Sequence, residues 1–127
     1  GQYSVAAAYY NADHGDDAER HYKVAMKDNR YLRDCLSELS TMWLYHSDLP
    51  NDRRAAKAKP YVDSLIEKFP KYGPGWLMRS DIQAMTQNGR MDPEVLKRFL
   101  DVADHDDPWQ ADAYKEIRAA FDKAGIE

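Results

Sequence analysis

Large apolar residues recur along this chain at the three- and four-residue spacing of an α-helix. The clearest stretch is 34–45, where one helical face carries Leu36, Leu39, Ser40 and Trp43. The same spacing returns in two later sets, Met78, Ile82, Met85 and Gly89, and Tyr114, Ile117, Phe121 and Gly125. No stretch alternates apolar and polar residues as a half-buried strand would, so the pattern predicts an all-α protein of about seven helices.

Capping residues and helix breakers predict where these helices begin and end. The predicted helices cover residues 3–13, 16–28, 31–46, a segment that ends at Phe69, 76–87, 92–103 and 108–124. A turn is expected at 13–16 with Asp16 as a cap, and the strongest break is expected at 72–75. Pro60 predicts a kinked or two-piece fourth helix.

A second apolar pattern, with spacing four then three, recurs in the even-numbered helices. Its members are Ala18, Tyr22 and Ala25, then Ala58, Val62 and Leu65, then Leu96, Leu100 and Ala103. With these residues, the chain resembles the tetratricopeptide repeat family, whose helical hairpins recur about every 34 residues. It departs from the family pattern at Asp81, where an apolar residue is expected, and at Arg118, where a small residue is expected.

The resemblance implies stacked antiparallel helical hairpins forming a single domain over residues 1–127, as a piece of a longer chain. A generic helical bundle is the alternative, because apolar residues at helical spacing occur in any packed helix. Members of the family are typically interaction scaffolds whose first helices line a concave groove. Carried over by spacing, the partner-binding residues are Tyr10, Asn11, Asp34, Thr41, Tyr45, Trp76, Arg79 and Gln83.

The resemblance therefore implies a non-enzymatic scaffold module that binds a peptide or helix of a partner protein. Tyr10, Tyr45, Trp76 and Arg79 are expected on one continuous concave surface; a plain solvated face is the alternative. The basic clamp with which some family members hold chaperone tails is not matched. Two different classes of function also stay open, namely an accessory helical domain of a larger enzyme or cell-envelope protein, and a small-ligand or metal-binding helical domain.

Net charge and hydropathy argue against two classes of partner, nucleic acid and the membrane interior. The net charge of −4 argues against nucleic acid, which usually requires a basic face. No apolar run approaches the roughly 20 residues of a membrane span, so membrane insertion is not expected. Self-association through the terminal hairpins is a further expectation. The chain starts with Gly1 rather than Met, so both a cytoplasmic location and, after removal of a signal, a periplasmic or secreted one stay open.

Residues whose side chains could react or bind a metal are interpreted as structural. His14 and His105 lie in Asp-rich turns where helix capping explains the acids, so neither a metal nor a cofactor is expected. Cys35 is expected to be a buried thiol. No nucleophile stands beside a base, so an enzyme is not expected. Trp43 is expected in the core, whereas Trp76 and Trp109 begin helices, where each would either staple a hairpin or face a ligand.

Overall fold

The computed structural model describes residues 12–127, with side chains described from residue 14 onward. This part of the chain folds into six α-helices and one short 3₁₀ turn at Asn29–Tyr31. The helices are α1 (Ala12–Ala25), α2 (Leu32–Tyr45), α3 (Asn51–Lys68), α4 (Gly73–Thr86), α5 (Pro93–Val102) and α6 (Pro108–Ala124). The prediction of an all-α fold is confirmed for these residues, while the first predicted helix falls almost wholly outside them.

The helices pack mainly against their neighbours in the chain, and α2 also contacts α4. The core lies where α2, α3 and α4 meet, and Leu39, Trp43, Leu65 and Met78 are fully buried there. These residues belong to the apolar stripes of the sequence, and the burial expected of Trp43 is confirmed. Removing such stripes from water is the main force that holds short helices in place.

One correction concerns residues 13–16, because α1 runs through them without a turn. Gly15 is buried, and a Cβ on it would lie 2.6 Å from Cη2 of Trp43. The glycine therefore allows the α1 backbone to approach the indole ring, rather than allowing a turn. Asp16 does not cap the helix as predicted, and its carboxylate lies 3.5 Å from Nζ of Lys57.

The segment expected to be the strongest break, 72–75, is mostly the first turn of α4. Pro74 is tolerated there because the first helical N–H groups have no partner within the helix. Gly75 packs against α3, since a Cβ on it would lie 3.1 Å from Cγ1 of Ile66. Close packing, rather than loop formation, accounts for this glycine.

Helix α3 is a single helix with Pro60 inside it, not two pieces. Pro60 itself is exposed, whereas Ala58 and Val62 on either side are fully buried. Burial of the apolar face thus outweighs the lost backbone hydrogen bond, a tertiary effect that local propensity does not include.

The predicted caps of the last two helices are present. The Asp92 side chain accepts a hydrogen bond from the Glu94 amide at 2.9 Å, and that of Asp107 accepts one from the Trp109 amide at 3.2 Å. Gly125 ends α6 in the left-handed region, with φ of 72°. Gln110 does not complete the predicted capping box; its Oε1 accepts from the Asp104 amide at 2.9 Å instead.

Candidate functional site

Several of the predicted partner-binding residues form ion pairs, hydrogen bonds or ring contacts with other residues of the chain. Tyr10 and Asn11 lie outside the described residues. Asp34 lies in the first turn of α2, where its carboxylate is 3.4 Å from Nη2 of Arg33. This pair is half exposed, so it adds little to stability.

Trp76 and Arg79 lie together at the start of α4. The guanidinium carbon of Arg79 is 5.6 Å from the centroid of the Trp76 ring, which is cation–π geometry. The Trp76 indole N–H donates to the Pro70 carbonyl at 2.8 Å. Trp76 therefore fixes the turn between α3 and α4, which was one of the two roles expected of it.

Arg79 and Gln83 line a cleft of about 560 Å³ between α3, α4 and α5. Its two basic side chains are paired with one acid, since Asp63 contacts Lys59 at 2.7 Å and Arg79 at 3.0 Å. Burial raises the pKa of the Asp63 carboxyl, but hydrogen bonds from these two cations outweigh that effect and hold the pKa below its ordinary value. Gln83 Oε1 is likewise engaged, accepting from the Asp92 amide at 3.1 Å.

Thr41 and Tyr45 line a different depression, of about 390 Å³, together with Asp81 and Trp109. The Tyr45 hydroxyl donates to the Asp81 carboxylate and so ties α2 to α4. Thr41 Oγ1 lies 3.9 Å from the sulfur of Met78, on the same side of α4 as Asp81.

The predicted surface is thus divided between two depressions. Thr41 and Tyr45 share one of them, while Arg79 and Gln83 share the other. The physical reason is the register of α4, because Arg79 and Asp81 are two positions apart and so point about 200° apart around the helix. Asp81 faces α2, and Arg79 faces α3.

A neighbouring depression of about 340 Å³ between α4, α5 and α6 continues the one at Tyr45. Asp81 and Trp109 line both depressions, and we term the two depressions together the α6 groove. Its lining residues are Thr41, Tyr45, Leu77, Ser80, Asp81, Met91, Leu96, Trp109, Ala113, Glu116, Ile117, Ala120 and Phe121.

The α6 groove carries most of the exposed large apolar side chains in the described part of the chain. Trp109 is 45% exposed and Met91 is 44% exposed, and both line the groove. The third such residue, Val24, is 62% exposed on α1 and does not line the groove. Clustered exposed apolar residues in a concave surface are typical of interaction sites, whereas isolated ones are ordinary.

Asp81 gives the groove its electrostatic character. Burial raises the pKa of its carboxyl, although the hydrogen bond from Tyr45 acts in the opposite direction. Burial also raises the pKa of the Tyr45 hydroxyl, and the charge of Asp81 and the hydrogen bond to it add to the effect. The raised pKa keeps the Tyr45 hydroxyl protonated as the donor of the hydrogen bond that links α2 to α4.

The sequence reasoning missed Asp81, Met91 and Trp109 as members of one site. A signal for Asp81 was present, because a carboxylate stands on a helix face where the repeat pattern has an apolar residue. The sequence admits two roles for Trp109, stapling a hairpin or facing a ligand, and its side chain is 45% exposed. Met91 lies between two helices, and no helical spacing indicates which way such a residue points.

The other residues considered for chemistry, Cys35 and His105, lie in packed surroundings. Cys35 is fully buried, as expected, and its pKa is raised by burial and by the nearby charges of Glu38 and Asp34. His105 packs edge-on against Tyr114, with 4.6 Å between ring centroids. Within residues 12–127 no three His, Cys, Asp or Glu side chains are placed to share a metal ion. In the same part of the chain, no helix has the length and apolar character required to span a membrane.

The chain was compared with protein families, curated proteins and solved structures. No protein family, curated protein or solved structure was found to match this chain.

Proposed function

We propose that this chain is a non-enzymatic interaction module that binds a peptide or helix of a partner protein in the α6 groove. The observation that carries the proposal is the pairing of exposed Trp109 and Met91 on one concave surface. Tryptophan is enriched among residues that dominate binding energy, because it buries a large area with few rotatable bonds.

The shape of the groove supports a slender ligand. Its walls come from α4, α5 and α6, and its far end reaches Tyr45 on α2. Leu77, Leu96 and Ile117 supply an apolar lining on which the nonpolar face of one helix or strand can pack. A folded partner would need a broader surface, since standard interfaces bury about 800 Å² on each partner.

The larger cleft beside Arg79 is less suited to this role. Its cations are engaged by Asp63, and its Gln83 is engaged by a backbone amide. A ligand would have to break these contacts before making its own, which reduces the net gain in free energy.

The tetratricopeptide-like architecture belongs to the same proposal. Packing of the helices in chain order, with an added contact between α2 and α4, supports stacked hairpins. The α6 groove draws residues from α2, α4 and α6, which are the first helices of successive hairpins in the repeat pattern.

The test is a selection of displayed peptides on this chain, followed by affinity measurement with two matched variants. Trp109→Ser should weaken binding of the selected peptides by about thirtyfold or more, since large hot-spot truncations cost about 2 kcal/mol or more. Val24→Ser removes a comparably exposed apolar side chain elsewhere and should leave binding unchanged. Equal effects of the two variants, or none from Trp109→Ser, would overturn the proposal.

A further inference from the structure

We infer that the segment bound in the α6 groove inserts a cationic side chain, arginine or lysine, between the Asp81 carboxylate and the Trp109 indole. This inference rests on the proposed function and specifies the chemistry of the partner. It concerns the junction of the two depressions, where Asp81 and Trp109 both line the surface.

The charge of the groove is one-sided. Among the described residues that line it, the charged side chains are Asp81 and Glu116, and no Lys, Arg or His is present. Asp81 also forms no ion pair with any basic residue in the described part of the chain, whereas Asp63 in the larger cleft is paired with two. The groove therefore complements a segment that is apolar and carries positive charge.

Asp81 is half-buried, and hydrogen bonds within the described residues compensate its carboxylate only in part. A carboxylate offers about four acceptor positions, and the Tyr45 hydroxyl supplies one donor. Taking a charge out of water is costly unless it is paired, so an arriving cation gains a partner whose hydration is already reduced in part. Tyr45 also fixes the carboxylate in place, which lowers the entropy lost on binding.

The aromatic surface beside Asp81 favours the same ligand. Trp109 is 45% exposed and lines the same two depressions as Asp81. Tryptophan is the best aromatic partner for a cation, and a guanidinium can stack on its face while pairing with a carboxylate. An apolar residue at the same position of the ligand could use the indole but would exclude more water from Asp81 without supplying a counter-charge.

The test uses the peptides selected on the unmodified chain and compares Asp81→Asn with Asp112→Asn. Asparagine retains the shape of Asp81 and an oxygen that accepts from Tyr45, but it removes the charge. Asp112 is exposed on α6 and does not line the groove, so its variant makes the same change in net charge. Thermal unfolding of each variant establishes that it is folded.

The expected result has two parts. Peptides that depend on Trp109 should share one Arg or Lys. Asp81→Asn should weaken the binding of these peptides by about tenfold or more, about 1.4 kcal/mol. Asp112→Asn should leave their binding unchanged. Replacing the shared basic residue of the peptide with norleucine should weaken binding to the unmodified chain much more than to Asp81→Asn. This ligand-side change gives a double-mutant cycle that does not depend on the stability of the protein variant.

The failure of this inference is distinguishable from that of the proposed function. Peptides that need Trp109, share no basic residue and bind Asp81→Asn as tightly as the unmodified chain would overturn the inference and leave the proposed function standing. Peptides indifferent to Trp109→Ser would overturn both.

Discussion

Gly15 provides a sharp test of the packing between α1 and α2. Replacing an interior helical glycine with alanine normally stabilises a helix by about 1 kcal/mol. At this position the added Cβ would lie 2.6 Å from Cη2 and 2.8 Å from Cζ3 of Trp43. Both distances are far shorter than ordinary contacts between carbon atoms, so either the backbone or the indole must move.

Trp43 has little freedom to move. Its side chain is fully buried, and its N–H donates to Glu19 at 3.2 Å. The ammonium of Lys57, on α3, lies 5.0 Å from the centroid of the Trp43 ring. Overpacking in such a setting costs about 1–3 kcal/mol. After subtracting the helix gain of about 1 kcal/mol, Gly15→Ala should be destabilising by up to about 2 kcal/mol.

The sign of the effect should reverse when the ring is removed. In a Trp43→Leu background the colliding atoms are absent, so Gly15→Ala should stabilise by up to about 1 kcal/mol. Urea unfolding followed by far-UV circular dichroism, on all four members of the cycle, measures the coupling. Stabilisation by Gly15→Ala with Trp43 present would refute the contact and the account of why this glycine is in the helix.

Two further predictions concern the core and pH. Trp43→Ala should cost about 3–5 kcal/mol of unfolding free energy, whereas Trp109→Ala should cost about 0.5 kcal/mol or less, because the latter side chain is exposed; similar losses in urea unfolding would contradict this. Because its folded-state pKa is raised, Asp81 contributes stability below the ordinary Asp value of about 3.9 and loses it as pH rises through the folded pKa. The lowered pKa of Asp63 has the opposite consequence, with stability present above the ordinary value and lost as pH falls through the folded pKa. From acidic to neutral pH, Asp81→Asn should therefore gain stability relative to the unmodified chain and Asp63→Asn should lose it; parallel pH profiles would contradict both assignments.

The sequence predicted features whose causes are local. The apolar stripe through Leu39 and Trp43 is buried, and Asp92 and Asp107 cap the helices that follow them. Periodicity and capping act within one helix, and they can be read directly from the residues involved. Gly125 likewise ends α6 through its own backbone conformation.

Features that depend on packing between helices were predicted less well. Glycine is common in turns, but Gly15 and Gly75 both lie in helices. Gly15 packs against Trp43, and Gly75 packs against Ile66. The sequence cannot distinguish a glycine needed for a turn from one needed for close approach, because both need the absence of Cβ.

The candidate site shows the same limit. Thr41 and Tyr45 were predicted as binding residues, and both line the α6 groove, but Arg79 faces another cleft. An error of two positions in the register of α4 is enough to change its partner helix. Asp81 was detectable as a charge on an apolar stripe, yet only the packing of α6 places Trp109 in the lining of the same depressions.

The most direct measurement of the central claim is a nuclear magnetic resonance titration of this chain with a selected peptide. We expect the largest shifts at the Trp109 indole N–H and the Met91 methyl group, with changes along Leu96 and Ile117, and none at the Val24 methyl groups. Shifts centred on Val24 or on Arg79 and Gln83, with the Trp109 indole unaffected, would place the binding site elsewhere and contradict the account.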